Sequence, residues 1–264
     1  MRKPRSLVKD RPVSPAQAVA EQRQQLKTLI PDATDRQLET VMSVSELTMT
    51  SPERILSLCN AVEHLATHNI AGDFVECGVW RGGSMAAAAR TLMELAPAQS
   101  MTRRLWMYDT YEGMSEPTEH DVDFVGQSAD VLLDEQDRMD GMSIWCRSPI
   151  DQVKTTMSET GYPAEQINFV EGKVEDTLPV QTPDEIALLR LDTDWYESTR
   201  CELEYLFPKL VEGGVLIIDD YGHWEGCRRA VDEYFEKHQV TMLLNRIDYT
   251  GRIGIKSGGN RHED

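Results

Sequence analysis

Basic residues are scarce in this 264-residue chain: 27 Lys and Arg stand against 45 Asp and Glu, a formal charge of −18. A protein that follows a phosphate backbone needs a basic surface. So does one that adheres to an anionic membrane, and neither nucleic acid nor membrane is expected as a partner. Long apolar runs are missing too. The longest, at 85–89 and 215–218, fall far short of the roughly 20 residues that cross a bilayer. The basic start (Met1, Arg2, Lys3, Pro4, Arg5) is followed by no apolar stretch and does not read as a secretion signal. Cysteine offers no framework. Cys59, Cys77, Cys146, Cys201 and Cys227 are odd in number, scattered and free of any CxxC pair, which suits reduced thiols in a cytoplasmic protein and argues against a zinc site. Internal repeats and low-complexity segments are also lacking.

What is present is a core-forming share of apolar residues, 40%, arranged in two styles. Residues 1–13 are basic, contain proline and are expected to be mobile. Ser14-Pro15 then opens a helix that Pro31 closes, a second helix is expected over 35–47, and Ser51-Pro52-Glu53 starts a third. In that third helix Ile55, Leu58, Val62 and Leu65 share one face. From Asp73 short apolar strands alternate with helices. Strands are expected at 73–77, 104–108, 167–170, 186–191 and 215–219, and helices at 83–95, 149–160, 196–209 and 227–237. Such alternation predicts an α/β fold with a doubly wound, mostly parallel sheet. A final strand pair at 240–244 and 251–255, antiparallel at the sheet edge, brings the expected total to seven. The expected layout is a helical extension or cap over 1–70, a sheet domain over 71–256 and a disordered tail over 257–264. Within the sheet domain, an acidic insertion at about 110–148 breaks the rhythm. Asp109 to Asp140 holds eleven acids and one basic residue, Arg138. A lid is expected there, because it follows a strand's C-terminal end; a solvated acidic loop is the plainer alternative.

The first strand runs into Gly78-Val79-Trp80-Arg81-Gly82-Gly83-Ser84 and then a helix. Gly78 permits a sharp turn, Gly82 and Gly83 permit close approach of a ligand, and the helix start offers free N–H groups. Trp80 stands where a dinucleotide motif has its second glycine, and no GK[ST] follows, so a ligand without a pyrophosphate is expected. Glu76 precedes the turn and is suited to an ammonium or to holding the loop. Asp109 ends the next strand, where an acid suits a ribose diol.

Two later strands each end in a pair of acids, Asp192 with Asp194 and Asp219 with Asp220. Adjacent parallel strands bring four carboxylates to one rim, and like charges so placed raise one another's pKa. Either arginines (Arg190, Arg228 or Arg229) or a cation must offset them. An all-oxygen donor set favours Mg²⁺, Mn²⁺ or Ca²⁺ over zinc. Strand-end position selects Asp192, Asp219 and Asp220 as ligands and leaves Asp194 as a base, with His223 as the second candidate. Trp195 and Trp224 flank the cluster, as acceptor platforms or as core.

These stretches together resemble the class I (Rossmann-like) S-adenosylmethionine methyltransferases, and more closely the macrocin/mycinamicin O-methyltransferase family. The stretches that carry the resemblance are 73–84, Asp109-Thr110-Tyr111-Glu112-Gly113, 191–199 and Asp219-Asp220-Tyr221-Gly222-His223-Trp224. The resemblance implies methylation of a deoxysugar hydroxyl on a glycosylated natural product in antibiotic biosynthesis. It implies S-adenosylmethionine as methyl donor, S-adenosylhomocysteine as product, and Mg²⁺ held by Asp192, Asp219 and Asp220. It assigns the base to Asp194 and cofactor contacts to Glu76, Gly78, Gly82, Ser84, Asp109 and Asp192. Thr50 and Ser51 are expected at the methionine end, and Gly172, Lys173 and Val174 at the adenine. A homo-oligomer is expected. Catechol-type relatives carry a lysine base three residues after the first metal acid; here that residue is Trp195, so their mechanism does not transfer. The alternatives are a Mg²⁺-dependent methyltransferase of phenols or catechols and a non-catalytic binding protein on the same fold.

Overall fold

The computed structural model describes residues 14–140 and 143–258. The expectations for 1–13 and for 259–264 lie outside the described residues. Three helices come first: α1 (Pro15–Leu29), α2 (Asp35–Val44) and α3 (Pro52–Thr67). Ser14 with Gln17, and Thr34 with Gln37, form reciprocal capping boxes, and the Ser51 hydroxyl accepts from Arg54 N. The second helix ends three residues before the expected 47, because the chain turns there and Leu47 O accepts from Gly83 N at 2.9 Å.

Strands β1 (Asp73–Cys77), β2 (Leu105–Asp109), β3 (Ile167–Glu171), β4 (Ile186–Leu191) and β5 (Leu210–Ile218) are parallel to their neighbours. β6 (Asn245–Arg246) and β7 (Arg252–Ile255) close the sheet antiparallel, in the order β3-β2-β1-β4-β5-β7-β6. Between the strands lie α4 (Gly83–Leu95), α5 (Pro97–Ser100), α6 (Ala129–Asp134), α7 (Ile150–Thr160), α8 (Val174–Thr177), α9 (Tyr196–Leu206) and α10 (Glu225–Lys237). This is the class I methyltransferase architecture. The expected strand at 240–244 is corrected. Val240, Met242 and Leu244 face the core while Leu243 is exposed, an alternation that imitates a strand, but the backbone pairs only at Asn245 and Arg246.

Strand alternation divides two apolar layers. Phe74, Leu105, Met107, Leu188, Val215 and Ile217 face α1–α4 and α7, while Val75, Cys77, Trp106, Tyr108, Leu189, Leu191, Leu216 and Ile218 face the α8–α10 side. The first helices are therefore more than an attached cap: Leu38, Val41, Val44, Ile55, Leu58 and Val62 belong to the first core layer. Two polar residues interrupt it. Glu76 and Arg190 stand in register on β1 and β4, on that same face, and both are buried.

The described part of the acidic insertion is folded onto the sheet domain. Ala129, Leu133 and Trp145 join the second core layer. Two of its acids are fully or nearly buried as acceptors for backbone N–H groups. Asp121 takes Thr118 N and Tyr196 N at 2.7 Å each, and Asp123 takes Val125 N and Gln127 N. Short bridges pair Val122 with Ser128 and Asp123 with Trp224, so this segment reaches the rim where the strands end.

Candidate active site

A cavity of about 300 Å³ opens at the C-terminal ends of β1–β5, where the strand order reverses between β1 and β4. One end is walled by Gly78, Val79, Trp80, Ser84, Asp109, Gly172, Lys173 and Val174; the other by Asp192, Asp194, Trp195, Asp219, Asp220, His223, Trp224 and Tyr249, with Thr50 and Arg54 from the start of α3.

The turn after β1 is shaped by close approach. Gly78 has φ 81°, and a Cβ there would collide with the Asp192 carbonyl. Asp109 fastens this turn: its Oδ2 accepts from Val79 N at 2.6 Å and Trp80 N at 3.1 Å, and its Oδ1 from Tyr111 N at 2.7 Å. Burial raises its pKa against those three donors. Three expected cofactor contacts do not reach the cavity wall. Gly82, at φ 84°, is the N-cap of α4 and lies against Val153. Ser51 caps α3 and donates to Asp248 Oδ2 at 2.9 Å. Glu76 lies in the core beneath the cavity and accepts from Arg190 Nη1 at 2.7 Å; desolvation pushes it up to about 7 in spite of that partner.

The carboxylate cluster is offset in part by arginines. Arg190 donates to Glu76 and Asp192 through Nη1 and to Asp219 and Thr50 through Nη2, each at 2.7 Å. Burial alone would lower its pKa, but Asp192 and Glu76 outweigh that and hold it above the ordinary value. Arg54 pairs with Asp219 and, at 3.0 Å, with Asp248. Of the three arginines considered from sequence, only Arg190 serves. Arg228 donates to Tyr221 O and Arg229 pairs with Glu233. Arg54 carried no sequence signal, because its reach to β5 is a consequence of how α3 packs.

Two guanidiniums do not balance Glu76, Asp192, Asp194, Asp219, Asp220 and Asp248. The excess sits on Asp194 and Asp220, whose carboxyls are both raised, first by burial and then by neighbouring carboxylates. Asp220 Oδ2 is buried without a partner. Asp194 has φ 67° and accepts from Trp224 Nε1 at 2.8 Å. Carboxylate atoms of Asp192, Asp219 and Asp220 lie within 4.8 Å of one another. A carboxylate offers about four lone-pair positions. Asp219 has one left after Arg190, Arg54 and Thr50, Asp192 has more, and the Asp220 oxygen is vacant. The donor set and the surplus charge both fit a hard divalent cation.

His223 is half-buried, and desolvation lowers its pKa; its Nδ1 lies 3.3 Å from the Tyr249 hydroxyl. Trp195 and Trp224 pack edge to face at 4.9 Å. Both line the cavity and both also belong to the core.

A family model described as Macrocin-O-methyltransferase (TylF) matches residues 3–253. The chain belongs to the macrocin O-methyltransferase family. Among curated relatives, an "8-demethyl-8-(2,3-dimethoxy-alpha-L-rhamnosyl)-tetracenomycin-C 4'-O-methyltransferase" of Streptomyces olivaceus is 35% identical over 224 residues, 84% of this chain and 80% of that protein. A "Demethyldecarbamoylnovobiocin O-methyltransferase" of Streptomyces niveus is 32% identical over 204 residues, covering 77% and 73%. The solved structure of the O-methyltransferase NovP is similar at a TM-score of 0.68 and 30% identity, covering 80% of this chain and 83% of that one. As a macrocin-type O-methyltransferase the protein is an enzyme, and its cavity lies at the carboxyl ends of the strands, where ligands of open α/β sheets bind. Among the described residues no helix is long and apolar enough to cross a membrane.

Proposed function

We propose that this protein is a Mg²⁺-dependent O-methyltransferase that uses S-adenosylmethionine to methylate a sugar hydroxyl of a glycosylated natural product. The observation that carries the reading is the surplus of carboxylates at the cavity floor, with the orphaned Asp220 oxygen beside Asp194. The sugar acceptor is supported by the relatives, one of which is named for a rhamnosyl 4'-position.

S-adenosylmethionine, when bound, supplies an electrophilic methyl group with its own leaving group. Gly78, Val79, Trp80 and Ser84 with Asp109 would hold its nucleoside end alongside Gly172, Lys173 and Val174, and Thr50 its amino-acid end. The loop after β1 is fixed by Asp109 before any ligand arrives, so little ordering remains to be done on binding. Asp192, Asp219 and Asp220 would hold the Mg²⁺, which supplies charge that lowers the pKa of an acceptor hydroxyl. Asp194 accepts the hydroxyl proton. Its carboxylate is oriented by Trp224 Nε1, which leaves the second oxygen for the proton of a bound hydroxyl. Arg190 and Arg54 hold the Asp219 and Asp192 carboxylates in place.

The test is methyl transfer to a panel of α-L-rhamnosides and phenols, with and without excess chelator. Turnover of rhamnosides that stops with chelator and returns with Mg²⁺ is expected. Full activity in chelator, or turnover of phenols alone, overturns the reading.

A further inference from the structure

Between Asp192 and Asp194 stands one residue, Thr193, and its hydroxyl is tied to the helix that follows. Thr193 Oγ1 donates to Glu202 Oε1 at 2.8 Å. Glu202 is completely buried on α9, and its other oxygen has no hydrogen-bond partner. A carboxyl in that setting is costly, because burial without full pairing is unfavourable. Packing alone is served by an apolar side chain, and α9 fills neighbouring buried places with Leu203 and Leu206. A costly group in such a place points to a use beyond packing.

The loop itself shows what that use is. Ser198 and Glu202 are four residues apart and share one face of α9. Ser198 Oγ donates toward Thr193 O at 3.4 Å and Trp195 O at 3.2 Å. The helix therefore grips the loop's backbone with one side chain and its Thr193 side chain with the other. On the strand side, Asp192 N donates to Cys77 O at 2.9 Å, and the Asp192 carboxylate accepts from Arg190 at 2.7 Å. Asp194 turns at φ 67° and is held at one oxygen by Trp224. Peptide planes are rigid, so a rotation at the Thr193 Cα, which joins the planes leading to the two acids, swings one acid relative to the other. The Glu202 contact is the side-chain anchor against that rotation.

We propose that Glu202 is a positioning residue for methyl transfer, which acts through the Thr193 hydroxyl to fix the angle between the Asp192 and Asp194 carboxylates. The proposal rests on the roles given to those two acids above. The test uses the full chain and four variants: Thr193→Val, Thr193→Ser, Glu202→Gln and the double variant Thr193→Val with Glu202→Leu. Turnover is measured with S-adenosylmethionine, Mg²⁺ and methyl α-L-rhamnoside. Calorimetry follows Mg²⁺ binding to the chain loaded with S-adenosylhomocysteine, and thermal scans give Tm. Displacements of about 1 Å cost up to about 10² in rate, so Thr193→Val is expected to lower kcat at least about tenfold. Its Mg²⁺ affinity is expected to fall as well, with the KM for S-adenosylmethionine and the affinity for S-adenosylhomocysteine little changed. Thr193→Ser keeps the donor and Glu202→Gln an acceptor, and both are expected to stay close to the natural kcat.

The double variant separates positioning from stability. Thr193→Val alone strands both Glu202 oxygens and lowers Tm, whereas replacing both partners by apolar groups is nearly neutral. Its Tm is therefore expected to return toward the natural value while kcat stays low. A kcat that recovers together with Tm overturns the positioning role, and so does a Thr193→Val chain with natural kcat and Mg²⁺ affinity. Rhamnoside turnover that ignores Mg²⁺ sinks the cation reading, and kcat then decides on Glu202. Mg²⁺ binding without rhamnoside turnover sinks the sugar reading, and Mg²⁺ affinity then decides. A natural chain that shows neither overturns both.

Discussion

Asp194 illustrates how much a single residue's surroundings decide. Its left-handed backbone is one that aspartate tolerates better than most side chains, and it turns the carboxylate back between Trp224 and Asp220. Asp194→Asn keeps the shape and the Trp224 bond but removes the proton acceptor. We expect kcat to fall about 10²–10⁴-fold, with S-adenosylhomocysteine affinity by calorimetry changed little; an unchanged kcat removes Asp194 from its role. Arg190 is the opposite case, a buried charge whose value lies in what it keeps paired. Arg190→Met leaves Glu76 buried without its partner and takes one of two arginines from Asp219, and is expected to lower unfolding free energy by about 3–5 kcal/mol in a denaturant titration. Asp192 and Asp219 were legible as strand-end acids, but the arginine bridging them to Glu76 was visible only as a possibility. Arg190 stands two positions before Asp192, which says nothing about the neighbour it meets across the sheet.

At the scale of elements, the turn between β1 and α4 and the loop after β4 are built against each other. Gly78→Ala places a Cβ against the Asp192 carbonyl at a positive φ. It is expected to cost more than about 1 kcal/mol in thermal unfolding and to weaken cofactor binding as well. The β4 loop also rests on α9. Glu202 of α9 is fully buried, accepts from Thr193 Oγ1 at 2.8 Å and has one oxygen without a partner. Burial raises its pKa well above the ordinary carboxylate range. The folded state therefore holds this proton more tightly than the unfolded chain. Its stabilising contribution is complete below the unfolded value and is lost as pH rises beyond it. Glu202→Gln keeps an acceptor for Thr193 and removes the proton, so the variant should gain stability relative to the natural chain between about pH 5 and pH 8. A stability difference that stays flat over that interval in paired denaturant titrations argues against a raised Glu202. No spacing rule announced this residue: its partner is nine positions back across a turn, and its environment is made by β1 and β4.

On the scale of the whole molecule, the sheet gathers acids from strands far apart in sequence faster than the arginines can neutralise them. If a divalent cation completes the site, it binds the folded chain alone and adds stability by mass action, about 2.7 kcal/mol at a hundredfold excess over its Kd. Mg²⁺ is therefore expected to raise Tm in a thermal scan, chelator to lower it, and Asp220→Asn to abolish the difference. A Tm that ignores Mg²⁺ in the natural chain removes the cation from the site. The insertion after β2 belongs to this scale too. Its acids suggested a lid or a solvated loop, yet Asp121 and Asp123 are spent on backbone N–H groups, and its apolar residues complete the second core layer.

The alternation of apolar strands and helices, the capping boxes and the strand-end acids were written in the chain, because each depends on periodicity or on neighbours within a few residues. Hence the doubly wound sheet, the glycine turn and the strand-end positions of Asp109, Asp192, Asp194, Asp219 and Asp220 follow from the sequence alone. Packing alone decided that α3 delivers Arg54 and Thr50 to β5, that Glu76 and Ser51 stay behind the cavity wall, and that Phe124 meets Tyr249 across 125 residues. Those contacts join segments whose separation in sequence carries no information about distance, and only burial of the shared core brings them together.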